Sequence, residues 1–417
     1  MSFSNLSFDE KLGLYAELLV VHGLNVQPGQ VVNVTGEILH RNLIQKIVKA
    51  AYKKGAKFVN VDFIDPQVVR LRILESKEDE YLQHVPSYIP KKFEDFVEEG
   101  ACVLRLTGSE EPDSLADLPP QKINDLQNYY RQSLKKYYAE GVGKSKIQWT
   151  VAAAATPKWA KKVFPELDEV KATNALWESI FHICRVDQPN FLQAAKVHRD
   201  TLQERARKLT GIKIKELHFV GPDTDLKVFL SPKAIFKGGG DATHKGIDFE
   251  ANVPTEECFT TPDYRLTEGK VRVTRPVLVN GESVKDLQLE FRKGEIVNFK
   301  ASQGQENFAA YIANDPGAKR LGEVALVGID SPIFQSKRIF EEILFDENAA
   351  CHIAVGFAYR FCLANGAELS PAELEALGCN DSHVHTDFMI SNEHVDVFAK
   401  TYLDQEIQLI KKGQWVF

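Results

Sequence analysis

The feature that most constrains this chain is a change of period. Over its first hundred residues, stretches with helical apolar spacing alternate with short β-branched runs; beyond residue 215, short β-rich segments take over. Residues 8–22 place Leu12, Tyr15, Leu18 and Leu19 at helical spacing, and 39–54 read the same way up to Gly55. Between and after them, QVVNV (30–34) and KFVNVDF (57–63) read as strands, and a helix at 93–100 precedes a third strand at 101–106. Strands separated by helices predict βαβ units and a parallel sheet. Residues 118–210 read as mainly helical around a short strand at 147–154. From 215 the strands fall at 216–220, 225–230, 271–278, 287–292 and 295–301, punctuated by the turn signals Asn280-Gly281 and Lys293-Gly294. The fold class is therefore α/β: an N-terminal α/β domain (1–215) with a mainly parallel sheet, then a mixed α+β C-terminal domain (216–417).

At 417 residues the chain has length for two or three domains. A net charge of −7 argues against a general nucleic-acid binder, which would show a basic face. The N-terminus has no basic segment ahead of its apolar residues, which Asp9, Glu10 and Glu17 interrupt, so no signal peptide is expected. No stretch of 18 uncharged apolar residues predicts a membrane helix. Six scattered cysteines without a CxxC pair predict a reduced, cytoplasmic protein.

Several motifs are decoys. GVGKS at 141–145 resembles the end of a phosphate-binding loop, but Tyr138 stands where the first glycine belongs and the preceding segment is helical. A helix C-terminus capped by Gly141 is the plainer reading. Gly238-Gly239-Gly240 lacks dinucleotide-fingerprint spacing and reads as a tight or flexible loop. His383, His385 and Asp387 form HxHxD, yet Phe388 follows where metallo-β-lactamase-like sites carry histidine.

Four segments concentrate metal-ligand types in apolar surroundings: NVPTEECFTTP (252–262), LGEVALVG (321–328), FDENAACHIAVGFAY (345–359) and SHVHTDFMI (382–390). His385 and Asp387 lie two apart on an expected strand, so both project from one face, at a metal or at a polar strand end. Glu323 interrupts a buried-strand pattern; there it is paired, for instance with Arg320, or it holds a cation. His352 lies in a nearly apolar segment read as a helix capped by Asn348, and fits a satisfied core histidine as well as a ligand. Tyr359, seven residues on, would share its face if that helix continued past Gly356, and Glu347 would reach the same pocket. Glu257 sits in a proline-flanked loop beside Glu256, a setting usual for solvated carboxylates.

Together these segments resemble the aminopeptidase T / aminopeptidase S family of metallopeptidases. The likeness runs nearly the whole length, from LLVVHGLNVQPGQVVNV and AYKKGAKFVNVDF through KGGGDATHKG to DENAACHIAVGFAY and HVHTDFMI. It implies metal ligands at Glu257, Glu323, His352, His385 and Asp387, with a catalytic glutamate at Glu347 and a catalytic tyrosine at Tyr359. Five side chains exceed the three that a single catalytic zinc takes from protein. Three carboxylates outweigh one divalent ion, whereas two ions and a hydroxide balance them, which favours a two-metal site bridged by Glu323. The ligand types suit Zn, Co, Mn or Mg alike.

The implied activity is release of N-terminal residues from short peptides, by a homodimer with neither nucleic-acid nor membrane partners. A dipeptidase or amidase would use the same ligands, and a non-enzymatic binding protein is expected to have lost them. Two departures stand out. Ser391-Asn392 follows DFMI where the family has glycine, and His383 replaces an apolar or small residue, as an extra ligand or a supporting group.

Overall fold

The computed structural model describes residues 3–279 and 282–417; the turn expected at 280–281 lies outside them. The chain divides into two compact units, Met1–Arg199 with Gly240–Pro254, and Asp200–Gly239 with Thr255–Phe417. This differs from a single cut near 215. The segment 240–254 joins the first unit because its short strand Asn252–Val253 pairs in parallel with a strand there.

The first unit opens on helix α1 (Phe8–Leu18). Ser7 and Glu10 cap it reciprocally: the Glu10 N–H donates to Ser7 Oγ (3.3 Å) and the Ser7 N–H donates to Glu10 Oε2 (2.8 Å). Strand β1 (Val31–Glu37) follows, then helix α2 (Arg41–Lys53), which buries Leu43, Ile44, Ile47 and Ala51, and then strand β2 (Phe58–Ile64). Helix Tyr88–Glu99 ends at Gly100, whose φ of 64° suits a residue without Cβ. With β3 (Cys102–Thr107) and β4 (Gln148–Ala153) these strands form the expected parallel sheet, in the order β2–β1–β3–β4–Asn252–Val253. The Gly141 cap is corrected: the helical turn Tyr137–Val142 runs through it, and a Cβ there would stand 2.7 Å from Val97. Its role is close packing. The triple glycine bends the chain, with Gly239 and Gly240 at φ 65° and 89°.

The second unit holds two large antiparallel sheets beside a two-stranded one, Val277–Val279 with Glu282–Val284. The larger has eight strands, with Ile214–Gly221 and Thr224–Phe229 near its centre and Asp396–Thr401 beside them. The single strand expected at 271–278 is two strands, Glu268–Arg272 and Val277–Val279. Pro276, lacking an N–H for the ladder, separates them. The smaller sheet orders β5 (Cys258–Thr260), β6 (Leu321–Leu326), β7 (His352–Gly356) and β8 (His385–Met389) as β5–β6–β7–β8. One core joins the two sheets: Leu217, Phe219, Leu226 and Val228 cluster with Val324, Leu326, Ile353 and Phe388. Strands β6 and β7 are buried throughout, which is why they read as near-continuous apolar runs.

Candidate metal centre

Segment 349–355 corrects the sequence reading most. His352 opens a strand and not a helical turn, and Asn348 caps no helix. Strand β7 is held between β6 and β8, pairing Ala354 with both Glu323 and Asp387, and Gly356 with His385. Directly opposed residues share a face, as do residues two apart on a strand. Glu323, His352, His385 and Asp387 therefore rise from one face, with only the Ala354 methyl between the two carboxylates. Gly356 has φ 101°, and a Cβ there would lie 2.0 Å from the Val384 carbonyl, so this bend admits little but glycine. Glu257, the residue just before β5, completes the set; far from being solvated, it is 6% exposed.

The resulting cluster is dense. His352 Nε2 lies 3.0 Å from Glu257 Oε2, 3.7 Å from Glu323 Oε1 and 4.0 Å from Asp387 Oδ1. His385 Nε2 lies 3.7 Å from Glu323 Oε2 and 3.7 Å from Asp387 Oδ1. Each imidazole is oriented from behind. His352 Nδ1 is 3.1 Å from the Ala350 carbonyl and His385 Nδ1 is 2.7 Å from the Phe357 carbonyl. A carbonyl only accepts, so each Nδ1 carries the proton and, in the neutral ring, each Nε2 turns a lone pair on the carboxylates. Oxygens and lone pairs gathered in this way repel unless a cation lies among them.

Glu257 Oε2 supports that reading. It is fully buried and has no hydrogen-bond partner, with the His352 Nε2 lone pair 3.0 Å away. Without a cation, protons take its place. Burial raises the Glu323 carboxyl to about 7; His352 opposes the rise, and the Glu257 and Asp387 charges add to it. Burial alone would lower the His352 pKa, but Glu257 and Glu323 overcome it and hold the ring well above its ordinary value. The residues present thus fit divalent metal: three carboxylates, two oriented imidazoles and an orphaned oxygen. Among the described residues, two groups have mutually close ligand atoms: Glu257, Glu323 and His352, and Glu323, His385 and Asp387. Arg320, the alternative partner for Glu323, pairs with Glu295 at 2.5 Å.

Two further groups stand beside the cluster. Glu347, 8% exposed, lies in the turn Glu347–Ala349. Burial first, and then the Asp387 and Glu257 charges, push its pKa well up. Tyr359 arrives on the loop after β7 and not by helical periodicity; its ring centroid is 5.1 Å from that of His385. Burial and then the Glu323 and Asp387 charges raise its hydroxyl well above the usual phenol range, so it stays a neutral donor. His383 is exposed, is in neither ligand group, and its backbone N–H donates to Asp315 Oδ2 (2.8 Å). Ser391, in place of the expected glycine, accepts the Cys351 N–H at 2.8 Å behind β7. Sequence reasoning missed the aromatic surround: Tyr359 stacks on Phe361 (5.0 Å) and meets Phe357 and Phe259 edge-on. Its trace was the density of rings in FAYRF (357–361).

The Thermophilic metalloprotease (M29) family matches residues 8–415. The chain belongs to the M29 family. As a member of M29 it is a hydrolase of the metallo-aminopeptidase class. Aminopeptidase AmpS of Bacillus subtilis (strain 168) is 37% identical over 411 residues, covering 99% of this chain and 100% of that protein. Aminopeptidase 2 of Geobacillus stearothermophilus is 36% identical, with 98% of each chain covered. Among solved structures, wild-type AmpT from Thermus thermophilus superposes with a TM-score of 0.90 at 35% identity, covering 99% of this chain and 100% of its own. The M29 chain contains no helix, among the described residues, long and apolar enough to cross a membrane.

Proposed function

We infer that this M29 metallo-aminopeptidase releases N-terminal residues from short peptides with a water activated by two divalent cations, Zn, Co, Mn or Mg. Glu257, Glu323 and His352 would hold one cation, and Glu323, His385 and Asp387 the other. The observation that carries this reading is that Glu323 belongs to both ligand groups, presenting Oε1 to His352 and Oε2 to His385. Cations there would bring the pKa of a water towards neutrality and polarise the scissile carbonyl.

The protein's own groups do the rest. Glu347, whose burial and acidic neighbours raise its affinity for a proton, takes the proton of the water in its carboxylate form and, now protonated, delivers that proton to the leaving amine. Tyr359, kept neutral, donates a hydrogen bond to the oxyanion of the tetrahedral intermediate. One of the cations would also take the free α-amino group of the substrate, which is how such a site would select chain ends. A homodimer in a reducing cytoplasm completes the proposal. The compartment is supported by six free, buried cysteines; the dimer rests on the family resemblance and is tested by light scattering.

The deciding experiment compares aminoacyl-arylamides with N-blocked peptides, with chelator and after return of each metal. Expected is chelator-sensitive cleavage of unblocked substrates alone. Turnover of N-blocked peptides would remove the exopeptidase mechanism, and turnover untouched by chelator would remove the metals.

A further inference from the structure

Asn348 stands where the sequence pattern expects a helix cap, and in the structure it does different work. Its side chain is 0% exposed and is bonded at both ends. Oδ1 accepts the backbone N–H of Glu256 at 2.6 Å. Nδ2 donates to the Leu344 carbonyl at 3.0 Å and to Glu347 Oε1 at 3.3 Å. The Glu256 N–H can only donate and the Leu344 carbonyl can only accept, so the amide has one workable orientation. That orientation points an N–H at the Glu347 carboxylate. The same side chain pins the residue before the ligand Glu257. The Asn348 carbonyl is itself held by Ser331 Oγ at 2.6 Å.

On the other side of Glu347, Asp346 is anchored independently. Its Oδ1 receives Arg275 Nη1 (3.1 Å) and the Phe340 N–H (3.0 Å). Asp346 thus anchors one side of Glu347, and on the other Asn348 Nδ2 donates to the Glu347 carboxylate itself.

We propose that Asn348 is a positioning residue that aims the Glu347 carboxylate and locks its turn to the segment that carries Glu257 into β5. The proposal rests on Glu347 being the proton acceptor, and its test separates the two claims. Asn348→Asp preserves shape and the acceptor for the Glu256 N–H, but sets an oxygen against Glu347 Oε1 in place of a donor. kcat should fall by about tenfold or more, with KM and bound metal per subunit within about twofold of the parent. Placed in a Glu347→Gln background, Asn348→Asp should cause no further loss, because the group it aims is gone.

An unchanged kcat, or an equal loss in both backgrounds, overturns the positioning role while leaving the base assignment standing. A fully active Glu347→Gln single variant overturns the base assignment itself, and the positioning role with it. Should Asn348→Asp not accumulate as folded protein, Asn348→Ser, which removes the contact with Glu347 without adding charge, is read by the same comparison.

Discussion

Replacing Glu323 with glutamine should affect stability in two opposite ways. The carboxylate is 5% exposed, with one oxygen 3.7 Å from each of two imidazole nitrogens. Burial and the neighbouring acids raise its pKa from 4.5 to about 7. The metal-free fold therefore holds this proton more tightly than the unfolded chain does. Raising the pH takes the proton first from the unfolded chain, so folding loses stability between pH 4.5 and about 7. At 1.36 kcal/mol per pKa unit the full loss is about 3 kcal/mol by pH 8. Glutamine keeps the shape without the charge. The metal-free variant should then melt higher than the metal-free parent at pH 8, by about 6–12 °C for a unit of this size.

The advantage should be largely gone by pH 5, where the parent carboxyl is protonated. The effect of metal runs the other way. Free cation at a hundredfold excess over its dissociation constant stabilises the parent by about 2.7 kcal/mol. Glutamine replaces one oxygen of the carboxylate that belongs to both ligand groups with an amide nitrogen that cannot ligate, and with it goes most of that gain. Scanning calorimetry of both proteins, at pH 5 and 8, with chelator or with added Zn or Co, reads every combination. An equal metal-induced rise in both proteins, or a metal-free variant less stable than the parent at pH 8, would refute the reasoning.

Three shorter expectations follow from the same geometry. Glu347→Gln should lower turnover by about 10²–10⁴ while metal content by mass spectrometry stays at the parent level; unchanged turnover removes its role as base. Tyr359→Phe loses the oxyanion donor alone and should lower kcat by roughly 10²–10³ with KM little altered, and a parent-like kcat would place the donor elsewhere. Gly356→Ala forces a Cβ into the left-handed backbone beside the Val384 carbonyl and should cost roughly 1–3 kcal/mol in denaturant unfolding, whereas an unshifted midpoint would show that the bend tolerates a side chain.

How far the sequence revealed the site depended on whether the deciding contact was local. His385 and Asp387 could be placed on one face because strand alternation is a property of three consecutive residues. Glu323 stood out because a carboxylate in an apolar run must find a partner wherever it lies. The parallel sheet of the first unit was legible for the same reason: each strand and helix there carries its own period and its own stop, such as Gly100. His352 was misread because a short apolar run bounded by asparagine and glycine has no period to separate strand from helix. It became a strand only through neighbours at 321–326 and 385–389, and pairing across such separations leaves no mark within the segment. The same lack hid Asn348, whose amide partners at Glu256 and Glu347 are settled only once β5 and β7 belong to one sheet. Glu257 was plain as a residue type and obscure as a buried one. Its burial comes from β5 pairing with β6, and nothing within NVPTEECFTTP requires that pairing. The residues that carry the charge of the site were thus visible one at a time, while the register that makes them a site belongs to Ala354, a methyl group small enough to let two carboxylates face each other across β7.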